Sequence, residues 1–252
     1  MATGSDLEAT RRSRIILPLP TDILKPALAE RSPLSSSSAF KPAQDLVSAK
    51  VTPDRPLVIV DVDEVLALFV EGFERFVGHH GYEMRFDKFA LFQNVYRKGD
   101  DNHIDMLVGK TLFDDFFRDG SDHMDPAPGA AEALAHLSNR ADVVILTNAP
   151  EHGRDERARW LKRHGMDYPL VINSGLKGPA AAHLAARTNR PSVFIDDMIP
   201  NLDSVATDAP KIGRFQMVAD QRLRHMAPSK PHAHERIDDW VHLQTALENA
   251  LL

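Results

Sequence analysis

The chain has no cysteine among its 252 residues, so disulfides and thiolate metal sites are both excluded. It has no apolar run approaching the roughly 18 residues that a membrane span requires. The opening residues, MATGSDLEATRRSR, lack a long apolar core, which argues against a secretory signal. Basic residues are not in excess: 30 Lys and Arg stand against 36 Asp and Glu, for a formal charge of −6. That balance leaves no electrostatic footprint for a nucleic-acid polymer or an anionic membrane. No internal repeat is found. These absences fit a reducing compartment, and a cytoplasmic location is expected.

What is present is ordinary globular composition, 43% hydrophobic and 26% charged. A folded part of about 200 residues buries roughly 70% of its unfolded surface and needs no covalent staples. Residues 1–55 stand apart in composition. SPLSSSSAFK (Ser32 to Lys41), Pro53 and Pro56 read as linker, and a flexible N-terminal extension is expected. Arg11, Arg12 and Arg14 hint at a transit peptide, against which stand Asp6, Glu8 and Glu30.

Beyond residue 55, strand-like and helix-like segments alternate. LVIV (Leu57 to Val60), VVIL (Val143 to Leu146), LVI (Leu170 to Ile172) and VFI (Val193 to Ile195) are short continuous apolar runs. Such runs suit strands covered on both faces, as in a parallel sheet. Between and after them the pattern predicts helices from Ala130 to Asn139, Arg154 to His164, Pro179 to Thr188 and Asn201 to Thr207. A further strand is expected over Arg214 to Val218 and a closing helix over Asp238 to Leu251. The alternation predicts an α/β fold, a three-layer Rossmann-like parallel sheet with right-handed crossovers. Residues 61–142 separate the first two strands, far more than a crossover needs. The Phe-rich stretches FVEGFERFVGHH and LFDDFFRD lie there, and a small helical cap is expected over residues 71–126. The core domain would then comprise residues 56–70 and 127–252.

Open α/β sheets bind ligands beyond the carboxyl ends of their strands. The first strand runs into Asp61 and Asp63, the second into Thr147 and Asn148, and the fourth into Asp196 and Asp197. Lys177 stands at a helix start after the third strand. Clustered carboxylates repel one another unless a hard cation sits among them, and an all-oxygen ligand set favours Mg²⁺. A phosphate ester would be drawn to that cation, with Thr147, Asn148 and Lys177 available to its oxygens. Carboxylates also act as phosphoryl acceptors.

DVDEVL, LTN, the isolated Lys177 and FIDD occur in the order of the haloacid dehalogenase-like superfamily, which residues 57–205 resemble. The resemblance implies a nucleophile at Asp61 and a general acid/base at Asp63. It also implies phosphate-binding roles for Thr147 and Lys177. Magnesium would be held by Asp61, the backbone carbonyl of Asp63, and the Asp196–Asp197 pair, with Asp197 favoured as the direct ligand. DVDEVLALF followed by the Phe-rich insert and DPAPGAAEAL is similar to the 5′(3′)-deoxyribonucleotidase-like branch, which often has Asp where this chain has Leu68. A phosphatase of a small phosphomonoester is therefore expected. A phosphomutase or phosphonate-cleaving relative, and a non-catalytic binding protein on the same fold, are the alternatives. Phe113, Phe116 and Phe117 are expected to pack the insert rather than to stack on a ligand. The histidine pairs His79–His80 and His232–His234 are expected to bind no metal.

Overall fold

The computed structural model describes residues 43–252. Its strands are β1 (Leu57–Val60), β2 (Tyr82–Met84), β3 (Val95–Arg97), β4 (Asp142–Thr147), β5 (Leu170–Ile172), β6 (Ser192–Asp196), β7 (Gly213–Gln216) and β8 (Glu235–Arg236). Its α-helices are α1 (Gln44–Ser48), α2 (Phe69–His79), α3 (Met106–Asp119) and α4 (Ala130–Ser138), then α5 (Arg154–Arg163), α6 (Gly178–Ala185), α7 (Ile199–Asp208) and α8 (Trp240–Leu251).

Six strands form one sheet in the order β5-β4-β1-β6-β7-β8, every neighbouring pair parallel. The continuous LVIV run is explained by its place: β1 lies between β4 and β6, and all four of its side chains are buried. Alternate residues feed two cores. Val58, Val60, Val143, Ile145 and Ile195 pack with Leu134, Trp160, Leu243 and Leu247 of α4, α5 and α8. Leu57, Ile59, Val144, Leu146 and Phe194 pack with Leu46, Leu184, Leu202 and Val205 of α1, α6 and α7. The result is the expected three-layer α/β architecture.

The described residues differ from expectation in one boundary and in the make-up of the insert. The extension does not run to residue 55, since Leu46 of α1 and Ala49 just after it are buried in one cluster with Val144 and Leu146 of β4 and Val171 of β5. Asp45 accepts a hydrogen bond from Ile172 N at 2.9 Å, and Arg55 pairs with Asp142 at 3.0 Å. The prolines that suggested a linker, Pro53 and Pro56, lie in the turn between α1 and β1. The rest of the proposed extension, including the transit-peptide hint, lies outside the described residues. The segment between β1 and β4 also holds more than helices. Besides α2 and α3 it contains the antiparallel pair β2–β3. Its Phe69, Phe73, Phe116 and Phe117 belong to the same continuous apolar cluster as the α4–α5–α8 face of the sheet. Phe116 and Phe117 are fully buried, as expected, and Phe69 meets Phe116 edge-on at 5.5 Å.

Candidate active site

The parallel register sets Val60 level with Ile145 of β4 and Ile195 of β6. The next residues on these three adjacent strands therefore share one rim. Asp61 extends the pairing by donating its N–H to Ile195 O at 3.0 Å. Thr147 is the last residue of β4 and Asp196 the last of β6. Lys177 arrives from the other direction, at the start of α6. Gly178 makes this possible: a Cβ there would lie 2.3 Å from Ser204 Oγ and 2.5 Å from its carbonyl oxygen. Without a side chain, Gly178 lets α6 sit against α7 and carries Lys177 into the interior.

Lys177 is completely buried, and its Nζ lies 2.6 Å from Asp61 Oδ2 and 2.7 Å from Asp196 Oδ2. Burial alone would push its ammonium down, but Asp196 and Asp61 outweigh that and hold it above its usual value. Asp196 has both oxygens engaged. Oδ1 accepts from Met198 N at 2.9 Å and from Asn201 Nδ2 at 3.0 Å, while Oδ2 takes the lysine. Burial raises its carboxyl to about 6 against the opposing pull of Lys177. Asp197 is different. Among the described residues its carboxylate has neither a hydrogen bond nor an ion pair, although only 7% of the residue is exposed. Burial, then Asp196, Asp61 and Glu64, push it well above the ordinary carboxylate range.

Asp61, Asp196 and Asp197 each present an oxygen within 4.8 Å of the others. A buried, unpartnered carboxylate beside two others is a donor set suited to a hard divalent cation. With Asp196 tied down by protein donors, Asp197 is the freer carboxylate. Thr147 Oγ1 is also buried without a hydrogen-bond partner, a polar atom left for something that the protein does not supply.

Not every expected residue faces this centre in the same way. Asp63 turns its carboxylate to Arg157, with Oδ2 accepting from Nη2 at 3.1 Å and Oδ1 lying 2.7 Å from Nη1 without hydrogen-bond alignment. Burial raises the Asp63 carboxyl; Arg157 opposes that and Asp61 adds to it. Asn148 reaches the cleft, but its amide is engaged, donating to Gly175 O at 2.9 Å and accepting from Asn173 Nδ2 at 2.8 Å. That is the bonding of a turn-fixing residue.

Two participants were missed from the sequence. Arg157, on α5, is 1% exposed and sits over the Phe117 ring at 5.0 Å. Its one legible signal is that Arg157, Trp160 and Leu161 share a helix face, and all three are buried. Glu64 has a left-handed backbone, φ 58°, rare outside glycine. Its buried carboxylate accepts from Val70 N at 2.8 Å and Asp220 N at 3.1 Å, tying the start of α2 to the chain after β7. Burial raises that carboxyl to about 7.

Of these groups, Asp61, Asp63, Glu64, Lys177, Asp197, Asn148 and Asn201 line a cleft of about 250 Å³ whose other walls are apolar, whereas Thr147, Asp196 and Arg157 are buried and are not among its lining residues. A larger hollow of about 630 Å³ beside it, between α1 and the loop after β5, shares only Asn148 with the candidate set and holds none of the acids. Asp61, Asp63, Asp197 and Lys177 are all at the smaller cleft. Among the described residues, no helix is long and apolar enough to cross a membrane.

No family model matches the chain, and no curated protein matches it. Solved structures do. A protein provisionally described as a beta-phosphoglucomutase from Thermotoga maritima superposes with a TM-score of 0.51 at 17% identity, over 78% of this chain and 100% of that one. A haloacid dehalogenase-like family hydrolase from Streptococcus pneumoniae gives 0.50 at 10% identity, over 77% and 98%. The fold is accordingly that of haloacid dehalogenase-like proteins.

Proposed function

We propose that the chain is a magnesium-dependent phosphomonoesterase that forms an aspartyl phosphate on Asp61. The observation that carries this reading is the convergence of Asp61, Asp196, Asp197 and Lys177 from two adjacent strand ends and one helix start onto a single buried point. Asp61, Asp197 and the backbone carbonyl of Asp63 would hold Mg²⁺, with Asp196 beside them. The ion would supply positive charge that draws the phosphate dianion into an acidic cleft.

The side chains account for the rest. An Asp61 oxygen attacks phosphorus, and the ester oxygen departs with a proton from Asp63, whose raised carboxyl favours the protonated form that this step needs. Asp63, now ionised, takes a proton from water; the water oxygen attacks the phosphorus of the aspartyl phosphate, and inorganic phosphate leaves. Lys177 offsets charge on the phosphoryl oxygens, and Thr147 Oγ1, which has no protein partner, is free to donate to one of them. Arg157 fixes the Asp63 carboxylate.

In this reading residues 71–126 act as a cap over the cleft, the substrate is a small phosphate ester rather than a polymer, and the lack of cysteine suits the cytoplasm. The nucleotidase branch rests on the DVDEVLALF and DPAPGAAEAL resemblance alone. Hydrolysis of p-nitrophenyl phosphate with and without Mg²⁺ tests the core claim. Wild type should release phosphate only with the metal, and Asp61→Asn should be folded and inactive. Full activity in that variant would refute the assignment.

A further inference from the structure

The acids and Lys177 come from strand ends and the start of α6, whereas the rest of the cleft, apart from Asn148 and Asn201, is apolar and comes from the insert and flanking loops. Phe69 opens α2, Phe89 and Leu91 lie on the loop between β2 and β3, Met198 precedes α7, and Leu223 follows β7. The Phe89–Leu91 loop is a held structure. Asn94, fully buried, donates through Nδ2 to Lys88 O and Ala90 O, each at 2.8 Å, bracketing Phe89. Phe92, next along, packs edge-on against Phe113 of α3 at 6.1 Å, and Gly109 leaves room for its ring. Phe89 and Leu91 are thereby kept only half-buried, facing the cleft.

Polar recognition is scarce there. Among the described residues lining the cleft, Lys177 is the one cation, and it is already paired with Asp61 and Asp196. Both lining amides spend donors within the protein, Asn148 on Gly175 while also accepting from Asn173, and Asn201 on Asp196. The nearby Arg222 pairs with Asp220 and Glu74 and lies over the Phe86 ring. A sugar hydroxyl, a second phosphate or a base edge set against Phe89, Leu91 and Met198, away from the acids, would lose water without gaining a partner from those side chains, which is costly.

Building on the phosphomonoesterase reading, we propose that the preferred substrate carries a small, uncharged apolar esterifying group, aromatic or short alkyl, selected by Phe89, Leu91 and Met198. The test compares kcat/KM with Mg²⁺ for benzyl phosphate, ribose 5-phosphate and deoxyuridine 5′-phosphate. All three are phosphates of primary alcohols, so leaving-group reactivity is comparable. Benzyl phosphate should be favoured by at least about tenfold, the scale of modest apolar contacts in a pocket. Leu91→Asn should shrink that preference mainly through KM for benzyl phosphate. Met198→Gln serves the same purpose should Leu91→Asn fail to fold. Equal or better turnover of ribose 5-phosphate or the nucleotide, or a preference untouched by both variants, would overturn the proposal. Active hydrolysis of p-nitrophenyl phosphate alongside that outcome would leave the phosphatase reading standing. Failure to turn over any ester would sink both.

Discussion

Replacing Lys177 with methionine probes the electrostatic logic of the site most sharply. The side chains are close in length, so the change removes the ammonium with little change of shape. Nζ lies 2.6 Å from Asp61 Oδ2 and 2.7 Å from Asp196 Oδ2. At an effective dielectric near 20, each contact carries roughly 6 kcal/mol of gross attraction. Desolvation of the three groups cancels much of it, but that penalty on the carboxylates remains when the lysine is removed. Breaking a buried pair by deleting one partner typically costs about 3–5 kcal/mol. For a domain of this size that lowers Tm by roughly 6–20 °C. The assay is thermal unfolding by circular dichroism in EDTA at pH 8. Adding Asp196→Asn to the variant should recover part of the loss, since it removes one of the stranded charges. With Mg²⁺, kcat on p-nitrophenyl phosphate should fall about 10²- to 10³-fold. A Tm within a degree of wild type in EDTA would refute the view that Lys177 compensates these carboxylates.

Further expectations follow from the neighbouring groups. Asp196 and Glu64 have carboxyls raised in the folded protein to about 6 and about 7, from ordinary values of 3.8 and 4.5. The folded state therefore binds protons more tightly, so the stability that these groups contribute is present at low pH and is lost as pH rises through 6 to 7. Metal-free protein should melt at a lower temperature at pH 8 than at pH 5.5, and Mg²⁺ should raise the pH 8 value by binding the folded state; a metal-free Tm that rises over that interval would contradict this. Arg157→Met should free the Asp63 carboxylate from its fixed orientation and lower kcat about 10²-fold in steady-state assays, the scale of a misplaced catalytic group. Unchanged kcat would reduce Arg157 to a packing residue.

Much of the sheet was legible because its strands are buried on both faces. LVIV and LVI fall on β1 and β5 residue for residue, and VVIL differs from β4 by one residue at each end. The polar residues that end those strands, and Lys177 at the start of α6, lie where the alternation of strand and helix puts them. Elements held by few residues left little trace. β2 and β3 are three residues each, too short for alternation to register. The five residues of α1 sit among prolines and are fixed by Asp45 and Leu46 from a distance in sequence. Arg157 was hidden by its surroundings, since RDERARWLKR reads as a solvated helix until the position of Phe117 shows which face turns inward. Glu64 was hidden because a positive φ is a property of the fold, not of glutamate. Asn148 shows the converse: it sits at the right strand end, yet its amide is bound to the Asn173–Gly175 turn.

The central claim is that phosphorus becomes bonded to one particular carboxylate. Borohydride reduction of enzyme quenched during turnover with Mg²⁺, followed by peptide mass spectrometry, reports that bond directly. Conversion of Asp61 to homoserine, dependent on substrate and absent in Asp61→Asn, is the predicted result. Reduction at another acid, or turnover that leaves Asp61 unlabelled under conditions where a control aspartyl phosphate is trapped, would contradict it.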